Sequence, residues 1–364
     1  MMRIKFVDVP PLNDVEALVA RFTATWRRLR AAKIASLAEL PPDPNAPRRR
    51  GKAKPSTPSY EDTRKIRRRA ERLVERQKAV LGVSNLSKDE LTRLQPVLQG
   101  VDLVLAQSED WADEIAAGLH ADMPWMAPAT LHVLYALRRA ARQGSGISMQ
   151  PVILNGPPGI GKSVWARKLA EHLELPMVTI DASKGGAGFA LAGVERGWST
   201  SQPGKPLELI LTKRIANPII IVDEICKAKS GSSQRSKGSH FSFADALLAL
   251  IEPATARDWE CISFRRQFDM SHILWVITAN TIDDVPETLR SRCQVIQLSD
   301  ITLEQMLDFA RVQGQKMDLS EAAIAAVLDT IKAAPGVLKR RLSLRDVARF
   351  LETAEALQMQ PRLQ

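Results

Sequence analysis

The residues Gly156, Pro157, Pro158, Gly159, Ile160, Gly161, Lys162 and Ser163 fit the spacing GxxxxGK(S/T), between an apolar run and the helix-like stretch VWARKLAEHL. Glycines at these positions let successive backbone N–H groups turn inward on phosphate oxygens, and the following helix adds its N-terminal dipole. Lys162 would reach the terminal phosphates of a nucleotide and Ser163 would ligate magnesium.

A second constellation lies about sixty residues on. Ile219 to Val222 lead into Asp223 and Glu224, at what should be the carboxyl edge of a strand, where open α/β sheets bind ligands. Asp223 would hold magnesium through water, and Glu224 would polarise an attacking water. The run HILWVITA ends at Asn280, whose amide could orient that water or touch the terminal phosphate. In PETLRSRC, Arg290 and Arg292 stand two apart before the last strand. Exposed arginines there serve either as solubilising charge or as a planar guanidinium inserted into another subunit's site.

These groups need a scaffold that brings several strand ends together. Short apolar runs at 151 (PVILN), 177 (MVTID), 218 (PIIIVDE), 272 (HILWVITAN) and 294 (QVIQL) alternate with helix-like stretches, the pattern of a parallel sheet covered on both faces. The expected class is therefore α/β over residues 127–300, and beyond Asp300 the periodicity is wholly helical, which predicts a helical lid over 301–364.

The N-terminal part reads differently. Asn13 with Glu16 has capping-box spacing ahead of Val15, Leu18, Val19, Phe22, Trp26 and Leu29, predicting a helical segment within 1–40. Residues 41–60, rich in proline and unopposed cations, read as a disordered linker. Helical patterns over 61–126 include a second capping box, Ser87 with Glu90, and a run interrupted by Pro96, where a kink or early end is expected. Residues 1–80 hold 20 Lys+Arg against 9 Asp+Glu, whereas residues 81–364 hold 31 against 32, so the chain total of +10 comes from the N-terminal part. That asymmetry suits nucleic acid, an acidic partner or a solvated tail.

Taken in order, GPPGIGKS, IIIVDE, ITAN and LRSRCQVI resemble the Walker A, Walker B, sensor 1 and arginine-finger elements of AAA+ ATPases. FADALLALIEP and ITANTIDDVPETLRSRCQVIQL are similar to the ATPase module of Lon-type proteases, and the resemblance covers roughly residues 127–355. It implies a P-loop core with a parallel five-stranded sheet in the order 5-1-4-3-2, ATP with Mg2+, and a homo-oligomeric ring of six subunits. It also implies Arg292 as a finger acting in trans and Arg345, in SLRDVA, as the sensor 2 arginine. The stretch from Gly193 to Lys205 resembles the Lon segment with the central-pore aromatic, which places Trp198 at the pore, although Ser199 follows it where the family has an aliphatic residue. A Trp buried in the subunit body is the alternative reading. By the same resemblance the cation-rich stretch 227–240 lies near a second pore loop.

Other classes are excluded or disfavoured. Cys226, Cys261 and Cys293 are odd in number and far apart, and the five histidines show no ligand spacing, so crosslinks and zinc are not expected. No apolar run reaches the length of a membrane span and MMRIKFVDVPPLNDVE shows neither an apolar h-region nor a small-residue cleavage site, so a cytoplasmic protein is expected. With 19 residues after Arg345, no protease domain is expected on this chain. The leading expectation is an ATP-driven ring that remodels or threads a protein substrate. The rivals are a nucleic-acid-associated motor or loader and a nucleotide-gated assembly scaffold.

Overall fold

The computed structural model describes residues 1–8, 13–38, 57–80, 86–184, 186–195, 201–228, 242–337 and 341–359. The chain forms two compact units, Val9–Gln99 and a larger one that joins Met1–Asp8 to Gly100–Gln364.

The smaller unit is helical, with helices Val15–Ala38, Tyr60–Val80 and Lys88–Leu94. The first two pack through Leu18, Ala70 and Val74, with Val15, Val19 and Phe22 alongside. The expected Ser87–Glu90 capping box is present, and Pro96 ends the α-helix, which tightens into a 3-10 turn over Gln95–Val97. At the first helix Asp14, not Asn13, accepts the backbone N–H of Ala17, because Asn13 is engaged with Gln77. Leu29, expected on the packed face, is exposed.

The larger unit contains nine strands among the described residues, β1 (Met2–Ile4), β2 (Val101–Leu103), β3 (Val152–Asn155), β4 (Met177–Asp181), β5 (Ile219–Asp223), β6 (Trp259–Cys261), β7 (Arg266–Phe268), β8 (Leu274–Ala279) and β9 (Gln294–Gln297). Five form the parallel sheet, in the order β4-β5-β8-β3-β9. Numbered by chain order among themselves and read from the other edge, they run 5-1-4-3-2. All five apolar runs of the sequence are these strands. β5 and β8 are central, and Ile219 to Val222 and Leu274 to Ala279 are buried throughout, as strands covered on both faces must be.

The expected boundary at residue 126 is not a boundary. Residues from Gly100 onward belong to the larger unit, because β2 pairs antiparallel with β1 and the Asp102 N–H donates to the Arg214 carbonyl at 2.8 Å. Asn217, fully buried, accepts from Val104 N–H and donates to its carbonyl, fixing the same segment. Residues 1–8 likewise leave the N-terminal helical segment, with Phe6 packing its ring 5.4 Å from that of Phe268. The helices Leu303–Lys316, Glu321–Val337 and Leu344–Gln358 form the expected C-terminal helical part, but they share one apolar core with the sheet, which runs from Val152 and Val276 to Met306, Val347 and Leu351.

Candidate nucleotide site

At the carboxyl ends of β3, β5 and β8 the chain encloses a cavity of about 470 Å³. Its floor is the turn from β3 into the helix Lys162–His172. Gly159 (φ 82°) and Gly161 (φ 91°) take left-handed backbone that side chains resist. A Cβ at Gly159 would stand 2.6 Å from that of Ser343, and one at Gly161 would stand 2.6 Å from the Met123 methyl, so neighbours fill the space a side chain would need. The Gly159 carbonyl accepts the N–H of Leu344, which ties the loop to the start of the helix Leu344–Gln358.

Lys162 is buried, and its Nζ donates to the carbonyls of Gly156 (2.7 Å) and Pro157 (2.9 Å) and to Asn280 Oδ1 (2.9 Å). Burial lowers its pKa to about 8, outweighing the attraction of Asp223 and Glu224, while Arg345 pushes the same way as burial. A polyanion entering the cavity would reverse that shift.

Ser163 Oγ donates to Asp223 Oδ1 at 2.7 Å, and Thr278 Oγ1 donates to the same oxygen at 2.5 Å. Thr278 in turn accepts the Glu224 N–H at 3.0 Å, so one buried hydroxyl on β8 fixes both acidic residues at the end of β5. Glu224 itself is in left-handed backbone (φ 57°, ψ 46°), uncommon for a residue with a side chain, and leaves the strand direction there. Its carboxylate accepts from Lys227 Nζ through both oxygens at 2.9 Å.

Thus Gly159, Gly161, Lys162, Ser163, Asp223, Glu224, Asn280 and Arg345 line one cavity. Arg345 reaches it from the first turn of the helix Leu344–Gln358 and is exposed. Arg292 does not line it. Its Nε donates to Glu252 Oε2 at 2.6 Å, beside a second cavity bounded by Arg139, Leu250 and Trp275. Arg290 lines neither cavity, and its Nε is buried without a hydrogen-bond partner among the described residues. Trp198 and most of the 227–240 stretch lie outside the described residues.

The sequence reading missed Thr278, whose signal was a hydroxyl inside an otherwise apolar strand. It also missed the far wall, where Asp122, Met123, Phe309 and Gln313 face the loop. Asp122 accepts from Lys168 at 2.9 Å and stands 3.4 Å from His172 Nε2 and 3.5 Å from Lys316. Burial raises its pKa, but the hydrogen bonds from Lys168 and His172 and the lysine charges prevail and hold it below the ordinary value. Trp125 anchors this wall by donating from Nε1 to the Ile160 carbonyl at 2.8 Å, and its ring meets Phe309 edge-on at 5.9 Å.

A crowded glycine turn and an amine buried at its centre could hold phosphate, and Ser163 Oγ and Asp223 Oδ1, hard oxygen donors already 2.7 Å apart, could hold magnesium. Residues 152–301 match the family model described as ATPase family associated with various cellular activities (AAA). This stretch is similar to AAA ATPase domains. The chain is also similar to the Lon protease of Mycoplasma genitalium, at 29% identity over 169 residues, 46% of this chain and 20% of that protein. The Lon protease of Mycoplasma pneumoniae is 30% identical over 171 residues, 47% of this chain and 21% of that protein. With the Lon protease of Cytophaga hutchinsonii the identity is 25% over 226 residues, 57% of this chain and 27% of that protein. The chain therefore spans about a fifth to a quarter of the length of these relatives, and it resembles their ATPase part. Among solved structures, the S. cerevisiae Hsp104:casein complex in its extended conformation superposes with a TM-score of 0.48 and 15% identity, covering 70% of this chain and 48% of that one. Among the described residues no helix is long and apolar enough to cross a membrane, and no cluster of His, Cys, Asp or Glu is arranged to hold a metal by itself.

Proposed function

We propose that the chain hydrolyses ATP at this site, as one subunit of a ring that remodels or threads a protein substrate. The observation that carries the ATPase reading is the convergence of Lys162, Ser163, Asp223 and Glu224 on one cavity, tied through Thr278 and Asn280. In this reading the loop N–H groups and Lys162 bind the terminal phosphates, Lys162 exchanging its carbonyl partners for phosphate oxygens. Ser163 and Asp223 would hold magnesium, which would supply charge neutralisation for phosphoryl transfer. Glu224 turns from Lys227 to take the proton of the attacking water, and Asn280 orients that water. Arg345 follows the nucleotide from the C-terminal helical part.

Arg292 lines a second cavity and not the one holding Glu224, an arrangement that supports its serving a neighbouring subunit. The protein-substrate part of the proposal rests on the similarity to the Lon ATPase part and on Trp198 as a bulky ring for nonspecific apolar grip. The test is phosphate release from ATP and Mg2+, measured alone and with a permanently unfolded polypeptide. Stimulation that Trp198→Ala abolishes is expected. Absence of ATP turnover overturns the catalytic reading, and turnover indifferent to every polypeptide overturns the substrate reading.

A further inference from the structure

The helix Tyr60–Val80 in the smaller unit carries two stripes of unlike chemistry. Ile66, Ala70 and Val74 recur every four residues and are buried, and Ala70 and Val74 pack with Leu18 of the helix Val15–Ala38. Away from them, Lys65, Arg68, Arg69, Arg72 and Arg76 recur at steps of three and four, which on a helix of 3.6 residues per turn confines them to a face about 100° wide. All five are exposed, and with Leu73 they line a common groove of about 490 Å³. Among the described residues no carboxylate forms an ion pair with Lys65, Arg68, Arg72 or Arg76. The flanking acids are engaged elsewhere, Glu71 with Arg67 and Glu75 with Lys78. Arg69 stands over the Phe22 ring at 5.9 Å, which orients its guanidinium.

We propose that this face binds the phosphodiester backbone of duplex nucleic acid. Four of its five cations are arginines, whose planar forks match phosphate oxygens bidentately. From Lys65 to Arg76 the helix advances about 16 Å, a length over which a B-form duplex presents on the order of nine phosphates. A lipid surface fits less well, because helices that lie in membranes insert an apolar face, and here that face already packs on Leu18. An acidic polypeptide also fits less well, since protein interfaces centre on desolvated apolar or aromatic anchors and this groove offers only Leu73, 39% exposed. Backbone contacts without base-reading side chains predict binding independent of sequence. The proposal does not depend on ATP hydrolysis.

The experiment uses the full chain and a fluorescent 20-base-pair duplex DNA of arbitrary sequence, followed by anisotropy between 50 and 200 mM KCl. The expected result is an affinity that falls steeply with salt. In the triple variant Arg68→Gln, Arg72→Gln, Arg76→Gln the slope of log K against log[salt] should shrink by about 2.7, with affinity at 0.1 M salt down on the order of a hundredfold. Glutamine preserves helix propensity at exposed sites, so circular dichroism and ATP turnover should match the wild type. The corresponding triple Arg→Lys variant should keep the slope. Wild-type affinity and slope in the Gln variant would overturn the proposal by assigning any binding to other cations, such as those between residues 41 and 56. A wild type that ignores the duplex at 50 mM KCl, or binds only poly-glutamate or anionic vesicles, would overturn it too.

Discussion

Lys227 Nζ spans both carboxylate oxygens of Glu224, at 2.9 Å to each, on the turn that leaves the central strand Ile219–Asp223. A carboxylate so occupied is not free to accept a proton from water, and its release is therefore part of any turnover that uses it. The pair is partly open to solvent, with side-chain exposures of 56% and 33%, which limits its strength to about 1 kcal/mol or less. Lys227→Met should raise basal ATP turnover by no more than about fivefold, with KM for ATP unchanged, in a steady-state phosphate-release assay. A fall in kcat would mean that Lys227 assists the reaction rather than restraining it.

The separation of Arg292 from the cavity lined by Glu224 makes a stoichiometric test available. Arg292→Ala alone should lower kcat on the order of a thousandfold, the lower range for an arginine acting on a transferring phosphoryl group from another chain. Glu224→Gln alone should bind ATP and hydrolyse it slowly. Mixed in equal amounts, the two dead variants should recover part of the wild-type rate, because some interfaces then pair an intact Glu224 with an intact Arg292. Turnover by the mixture no higher than that of either variant would place the arginine's action within one chain.

Much of the site was legible because its parts are local. The phosphate loop is one contiguous stretch, and Asp223, Glu224 and Asn280 sit at the ends of apolar runs that mark strands by composition. What the sequence did not disclose depends on partners distant in the chain. The strand Met2–Ile4 gains its identity only by pairing with Val101–Leu103, and short edge pieces carry too few residues for a periodic signal. Asn13 lost its capping role to Asp14 because Gln77, on another helix, competes for its side chain. Thr278 reads as one polar residue in a β-strand until Asp223 and the Glu224 N–H are seen on either side of it. That dual bond gives a third prediction. Thr278→Val keeps the shape but leaves the Glu224 N–H without its acceptor and Asp223 with one donor fewer, a cost of about 1 to 3 kcal/mol. Thermal unfolding should show that loss, and kcat should fall more than KM rises, since both acidic residues lose their positioning while Lys162 keeps its own contacts.

The loop and the C-terminal helical part meet closely at Gly159, and this supplies the last test. Gly159 has φ 82°, its carbonyl accepts the Leu344 N–H at 3.1 Å, and a Cβ there would stand 2.6 Å from the Cβ of Ser343. Ser343 caps the helix Leu344–Gln358 through a reciprocal pair with Asp346, and that helix carries Arg345 into the cavity. Gly159→Ala therefore strains the loop backbone and displaces the helix start at once. ATP affinity, read by a fluorescent nucleotide analogue, should weaken at least tenfold, more than Arg345→Ala alone would cause, because the alanine disturbs the phosphate cradle as well as the arginine. Ser343→Gly removes the obstructing Cβ while leaving the backbone strain at residue 159. In the double variant affinity should return part of the way. No recovery would show that the loop conformation alone sets the loss and that the contact with the helix is incidental.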